Sequence, residues 1–181
     1  MPRFIAFLRA INVGGHTVKM DNLHGLFKSS GFSSVETFIA SGNVVFDTKS
    51  VDAMVLEKRI EKQLREALGY EVAVFIRTSM ELAGIAKYEL FPQPAVDKAS
   101  ALNIAFLKDK LDEQSKQKLM GLRTDIDDFH VHEREVYWLC LKKKSESTFS
   151  NALLEKTIGR KSTMRGVNTI KKMTVKYASK Q

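Results

Sequence analysis

The run Val35-Glu36-Thr37-Phe38-Ile39-Ala40-Ser41-Gly42-Asn43-Val44-Val45-Phe46 holds two strands about one turn. Val35 to Ile39 reads as the outgoing strand. Ser41-Gly42-Asn43 is a turn signal, and Val44-Val45-Phe46 returns. On the N-terminal side, Met20, Leu23, Leu26 and Phe27 recur at the spacing of one helix face over residues 20–30, and Gly31 stops it. Before that helix lie a loop with Gly14-Gly15 and an apolar, strand-like run at 4–9. On the C-terminal side, Ser50 can cap a helix through Leu68 with Leu56, Ile60, Leu64 and Ala67 inward and Gly69 at its end. Val72 to Ile76 is another strand. The order is β-α-β-β-α-β, the split-βαβ or ferredoxin-like pattern.

The second half repeats that order. Leu102 to Leu107 reads as a strand, and Asp112 caps a helix to Met120, closed by Gly121. Asp128 to His132 and Val136 to Leu141 flank the turn Glu133-Arg134-Glu135. Thr148 to Ile158 is a helix stopped by Gly159, Ser162 to Arg165 a short strand, and Asn168 the cap of a terminal helix. Residue-level similarity between the halves is slight, so the repeat rests on element order. Between them Ser79 caps a short helix to about Tyr88, which Phe91-Pro92-Gln93-Pro94 cannot continue, because proline lacks the backbone donor.

The expected fold is therefore α+β: two tandem ferredoxin-like (β-α-β-β-α-β) subdomains with antiparallel sheets at 1–78 and 100–181, a linker helix and Pro-containing loop at 79–99, and a basic C-terminal helix. Right-handed crossovers put the helices of each half on one sheet face. Phe4 to Leu8 and Val44 to Phe46 are nonetheless apolar at consecutive positions, whereas strands with one wet face alternate. The second face is expected to be buried too, by another part of the chain or a second subunit.

Composition narrows the function classes. The chain has 181 residues, 44% hydrophobic and 28% charged, which excludes a mostly disordered protein. One cysteine, Cys140, leaves no intrachain disulfide framework and suits a reducing cytosol. The apolar run before Arg9 is too short for a signal peptide. The longest uncharged stretch, Thr37 to Phe46, is far below the ~20 residues of a membrane helix. A cytoplasmic protein without membrane association is expected. The net charge of +8 is unevenly placed: residues 142–181 hold 11 Lys/Arg against 2 Asp/Glu, while the rest is near neutral. Such a field attracts phosphate, nucleic acid or an acidic partner, although a solvated basic surface looks the same in sequence.

Three stretches carry a resemblance. They are Phe7-Leu8-Arg9-Ala10-Ile11-Asn12-Val13-Gly14-Gly15 with Val18-Lys19-Met20; Ser41-Gly42-Asn43-Val44-Val45-Phe46; and Arg134-Glu135-Val136-Tyr137, followed by Arg165, Asn168-Thr169 and Lys172. Together they resemble the domain of unknown function 1697 family of uncharacterised bacterial proteins. The resemblance implies two ferredoxin-like subdomains and brings no activity, substrate or cofactor. Ala10 departs from it, standing where glycine is more typical, and Met164 to Thr169 replaces a version richer in Asn and Trp.

The candidate ligand-binding residues are Arg9, Asn12, Gly14, Gly15, Lys19, Ser41, Asn43, Arg165, Asn168 and Lys172. Glycines let backbone approach a ligand, N–H groups at a helix start suit an anion, Lys19 is a point charge and Arg9 a bidentate fork. The spacing is neither a Walker A loop nor a dinucleotide fingerprint. The plainer account of Asn12 to Lys19 is a flexible strand-to-helix loop, and of Ser41-Gly42-Asn43 a hairpin turn. His130 and His132 share a strand face but lack further ligands, so neither metal nor cofactor is expected. Cys140 reads as a buried thiol and Asp125, Asp127 and Asp128 as a polar turn. An RNA-recognition mode would need exposed sheet aromatics such as Phe4, Phe7 and Phe46.

Three functions stay open. The leading one is binding of a phosphate-bearing small molecule or nucleic acid in a basic cleft between the halves. The others are an enzyme, a transferase or hydrolase acting on a phosphorylated metabolite, and a structural module that forms a homodimer through a bare sheet face.

Overall fold

The computed structural model describes residues 1–12, 14–39 and 42–177. Strand β1 (Arg3–Leu8) leads to α1 (Met20–Ser29), the hairpin β2 (Ser33–Thr37) and β3 (Asn43–Asp47), α2 (Ala53–Leu68), β4 (Val74–Thr78) and α3 (Ser79–Lys87). A six-residue helix α4 (Gln93–Lys98) precedes the second series. That series is β5 (Ala101–Phe106), α5 (Glu113–Met120), β6 (Asp127–His132), β7 (Glu135–Cys140), α6 (Asn151–Ile158), β8 (Thr163–Gly166) and α7 (Val167–Tyr177). The sheets run β2-β3-β1-β4 and β6-β7-β5-β8, with every pairing antiparallel. The described chain is thus a mixed α+β fold of two four-stranded antiparallel sheets and seven α-helices. None of these helices is long and apolar enough to cross a membrane.

The likeness between the halves goes deeper than element order. An inner strand of each sheet carries the same residues, Ile5-Ala6-Phe7-Leu8 and Ile104-Ala105-Phe106-Leu107, each followed by a basic residue, Arg9 or Lys108. Arg77 stands opposite Ile5 on β4, and Arg165 opposite Ile104 on β8. Each guanidinium donates from Nη1 to the preceding carbonyl, Ile76 at 2.8 Å and Met164 at 2.9 Å. A helix follows each of these strands, so the repeated series has seven elements rather than six.

Both faces of β1, β3 and β4 are buried, which is why these strands do not alternate, whereas the edge strand β2 keeps Ser34 and Glu36 exposed. Phe4, Ala6, Leu8, Val44, Phe46, Val74 and Ile76 pack with Leu23 and Phe27 of α1 and Leu56, Ile60 and Leu64 of α2. On the opposite face Ile5, Phe7, Val45 and Phe75 are at most 1% exposed. Each such side chain contributes about 1.5–3 kcal/mol relative to exposure. Phe4, Phe7 and Phe46 are therefore not available for base stacking. Strands β1, β3 and β4 also leave no bare face for a dimer contact. In the second half, Phe129, Trp138 and Phe149 centre a separate core with Leu107, Leu154 and Ile158.

Several helix starts differ from the expected ones, and the hydrogen bonds say why. Asp52, not Ser50, caps α2, accepting from the Val55 N–H at 3.1 Å. Thr78, not Ser79, caps α3: its hydroxyl accepts from Glu81 N–H while the Glu81 carboxylate accepts from Thr78 N–H. Ser150 caps α6, two residues past the expected start at Thr148. Asn168 lies inside α7, which begins at Val167. Pro94 sits in the first turn of α4, where a missing N–H costs nothing, so the prolines begin a helix as well as ending one. The Asp112 cap and the left-handed Gly69 and Gly159 ends are as expected.

The chain divides into two compact units, Met1–Gly84 with Met173–Gln181, and Ile85–Lys172. The division falls inside α3 and inside α7.

Candidate functional site

In the first unit, the chain leaves β1 through Arg9, which is half-buried and whose N–H donates to the Ala73 carbonyl at 2.9 Å. Ala10 follows at φ 51°, in the left-handed region. That conformation is the physical reason a glycine suits the position. Ile11 is buried, and its carbonyl accepts from the Tyr70 hydroxyl at 2.8 Å. His16 stacks on Tyr70 with ring centroids 4.0 Å apart. The exposed Asn12 uses its side-chain oxygen to accept from Val18 N–H at 2.7 Å, which ties the two ends of the loop together. Gly14 and Gly15 are exposed at φ 68° and 81°, and a methyl on either meets nothing within 4 Å. Backbone conformation, not close packing, therefore selects glycine there. Lys19 is exposed at the N-cap of α1, where its side chain makes no capping hydrogen bond among the described residues.

The second motif turns out to be a brace. Ser41 lies outside the described residues. Gly42 is at φ 77°, its carbonyl accepts from Leu8 N–H at 2.8 Å, and a methyl on it would stand 3.1 Å from Leu8 Cβ and Ile11 Cγ2. Asn43 is fully buried and donates from Nδ2 to the Phe38 carbonyl at 2.9 Å, while Phe38 N–H donates to the Asn43 carbonyl. Its amide donor thus serves the hairpin.

In the second unit, Arg165 donates from Nη1 to Thr163 Oγ1 at 2.8 Å as well as to the Met164 carbonyl. Burial pushes its guanidinium down to about 10, still charged at neutral pH. Asn168 and Lys172 are exposed on α7 at i, i+4, one side of the helix. The structure therefore gathers Arg9, Asn12, Gly14, Gly15 and Lys19 along one loop, and Arg165, Asn168 and Lys172 along one strand-to-helix passage. Sequence reasoning missed Arg77, which the shared Ile-Ala-Phe-Leu string would have paired with Arg165, and missed the His16–Tyr70 stack.

The remaining motifs are structural in their contacts. The Asp127 carboxylate is buried and accepts from Trp138 Nε1 at 2.8 Å, Ser147 Oγ at 2.8 Å and Thr124 Oγ1 at 3.0 Å. Asp128 pairs with Arg123 at 2.7 Å. Cys140 is buried, donates to the Lys142 carbonyl, and has its thiol pushed up by burial. Among the described residues no three His, Cys, Asp or Glu side chains are placed to hold a metal ion.

The chain is similar to a solved structure, that of the conserved bacterial protein SP0830 from Streptococcus pneumoniae. The two share 20% identity over 99% of each chain, with a TM-score of 0.80. At that identity the likeness shows the fold alone. No curated protein matches. The family model described as "Protein of unknown function (DUF1697)" matches residues 1–137, which include the Phe7–Gly15 and Ser41–Phe46 motifs and end at Tyr137 on β7. This chain belongs to the DUF1697 family of proteins of unknown function.

Proposed function

We propose that the protein binds a phosphate-bearing ligand, a small molecule or a nucleic acid backbone. The observation that carries this reading is the loop Asn12 to Lys19. Two exposed left-handed glycines lead into a helix start at Lys19, whose side chain makes no capping hydrogen bond among the described residues. Uncapped N–H groups and a nearby ammonium favour an anion. Arg9 adds a fork at the base of the loop. Arg165, Asn168 and Lys172 offer a second set of donors in the other unit, in the segment where the positive charge concentrates. Each half of the sequence is read as a ferredoxin-like module, 1–78 and 100–181 about a linker at 79–99, and the strand order β2-β3-β1-β4 and its counterpart support this. The lone buried thiol fits a cytoplasmic setting.

The test is calorimetric titration of inorganic phosphate, a nucleoside monophosphate and a single-stranded oligonucleotide at two ionic strengths. Saturable binding that weakens with salt, and weakens further in Lys19→Glu, is the expected result. Absence of binding by all three at both ionic strengths refutes the proposal.

A further inference from the structure

A hollow of about 370 Å³ opens in the second unit, at the small end of the range in which proteins hold small molecules. Three aromatic side chains line it: Tyr88 and Phe91, from the segment joining α3 to α4, and Tyr137 on β7. Two of these rings are backed from β6. His132 stacks on Tyr88 with centroids 3.8 Å apart and planes 16° from parallel. His130 meets Phe91 edge-on at 6.5 Å. The two histidines stand at alternate strand positions and so share a face. Tyr137 is almost wholly buried, 6.1 Å from Tyr88.

Tyr88 is 40% exposed, yet its ring is held flat by that stack. Aromatic rings bind flat partners by offset or edge contact, and a ring already oriented loses little freedom on binding. Charge selects further. Lys87 and Lys171 line the hollow against one carboxylate, Glu89, so an anion is favoured. The comparable hollow beside Asp125 to Asp128 has the opposite character, lined by three carboxylates and one guanidinium.

We infer that the Tyr88–Phe91–Tyr137 hollow binds a small aromatic anion, a single flat ring system bearing one carboxylate or phosphate. The ring lies against Tyr88 and Phe91, and the anionic group meets Lys171 or Lys87. This site is distinct from the Asn12–Lys19 loop and takes its affinity from stacking as well as charge.

The test uses benzoate and phenyl phosphate as probes, with benzyl alcohol and inorganic phosphate as controls, followed by saturation-transfer NMR and competition on the whole protein. Both aromatic anions should bind saturably, and at least about tenfold more tightly than either control, a difference of about 1.4 kcal/mol. Phe91→Ala and Lys171→Glu should each weaken them about tenfold or more. Lys171→Arg should keep binding. Lys156→Glu, the same charge change on the exposed face of α6, should leave it unchanged once thermal melts show each variant folded. Equal binding of benzyl alcohol, or loss of affinity in Lys156→Glu matching that in Lys171→Glu, overturns the inference. So does absence of saturable aromatic-anion binding in the unaltered protein. Lys19→Glu separates the two readings: it should weaken inorganic phosphate at the loop and leave benzoate unaffected.

Discussion

Gly42→Ala should be among the most damaging single-methyl additions in this chain. The added Cβ would stand 3.1 Å from Leu8 Cβ and Ile11 Cγ2 and 3.4 Å from the Leu8 carbonyl oxygen. All three belong to the exit of β1, which the Leu8 N–H to Gly42 carbonyl bond ties to the same turn. They cannot withdraw without loosening that bond. Crowding of this kind costs about 1–3 kcal/mol. The left-handed backbone at φ 77° costs an alanine about 1–2 kcal/mol more. Restricting the unfolded chain returns about 0.4–1 kcal/mol. The net loss is about 1–5 kcal/mol, centred on about 3. Gly14→Ala isolates the conformational part. It shares the left-handed φ but meets no atom within 4 Å, so it should cost only about 0–1.6 kcal/mol, centred on about 0.8. Ala10→Gly reverses the same part and should stabilise by a similar amount. Urea unfolding followed by far-ultraviolet circular dichroism reads all three as midpoint shifts at constant slope. If Gly42→Ala proves no more harmful than Gly14→Ala, the turn does not brace β1 and the packing argument is wrong.

Asp127→Ala removes the acceptor of the Trp138 indole N–H and of two hydroxyls. It should cost about 3 kcal/mol or more, since orphaned buried donors and lost charge-assisted bonds each cost about 1.5–3 kcal/mol. The same variant should shift the Trp138 fluorescence, while Asp127→Asn, which keeps an acceptor oxygen, should lose less. A loss below about 1 kcal/mol would show the network to be dispensable. Glu36 is held below the ordinary carboxylate range by the hydrogen bond from Lys176, then by that from Tyr177. A depressed carboxylate stabilises above its unfolded pKa and loses that contribution as pH falls through the folded value. Glu36→Gln should therefore be less stable at neutral pH, by only about 0.2–1 kcal/mol because the pair is half exposed, and should match the unaltered protein in strong acid. Urea midpoints at several pH values check this, and a gap that persists in acid contradicts it.

The element order was legible because hydrophobic period survives tertiary context. Leu23 and Phe27, Leu56, Ile60 and Leu64, and Ile170, Met173 and Tyr177 are buried as their spacing implies, whereas Ala67, expected inward on α2, is exposed. Cap positions were less legible. Ser50 and Asp52 are both competent N-caps, and only the backbone decides which one leaves the helix. The prolines at 92 and 94 both forbid the continuation of one helix and favour the first turn of the next, and sequence alone does not separate the two effects. Among the candidate ligand groups, Asn43 carries suitable chemistry, but its amide donor serves the Phe38 carbonyl, and no sequence pattern states which acceptor a buried amide will meet. The aromatic hollow was invisible for a different reason. Its lining comes from residues 86 to 171 on separate elements, so no local window contains it.

The division within α7 has a consequence for how the chain is made. Met173 and Tyr177 group with the first unit and are almost fully buried, and Tyr177 donates to Glu36 across 141 positions of sequence. Synthesis proceeds from the N-terminus, and domains ordinarily fold in that order. Here the unit that emerges first is completed by residues 173–177, which are made only after the whole of the second unit. Until those residues emerge, the first unit lacks the Tyr177–Glu36 bond and the buried side chains of Met173 and Tyr177.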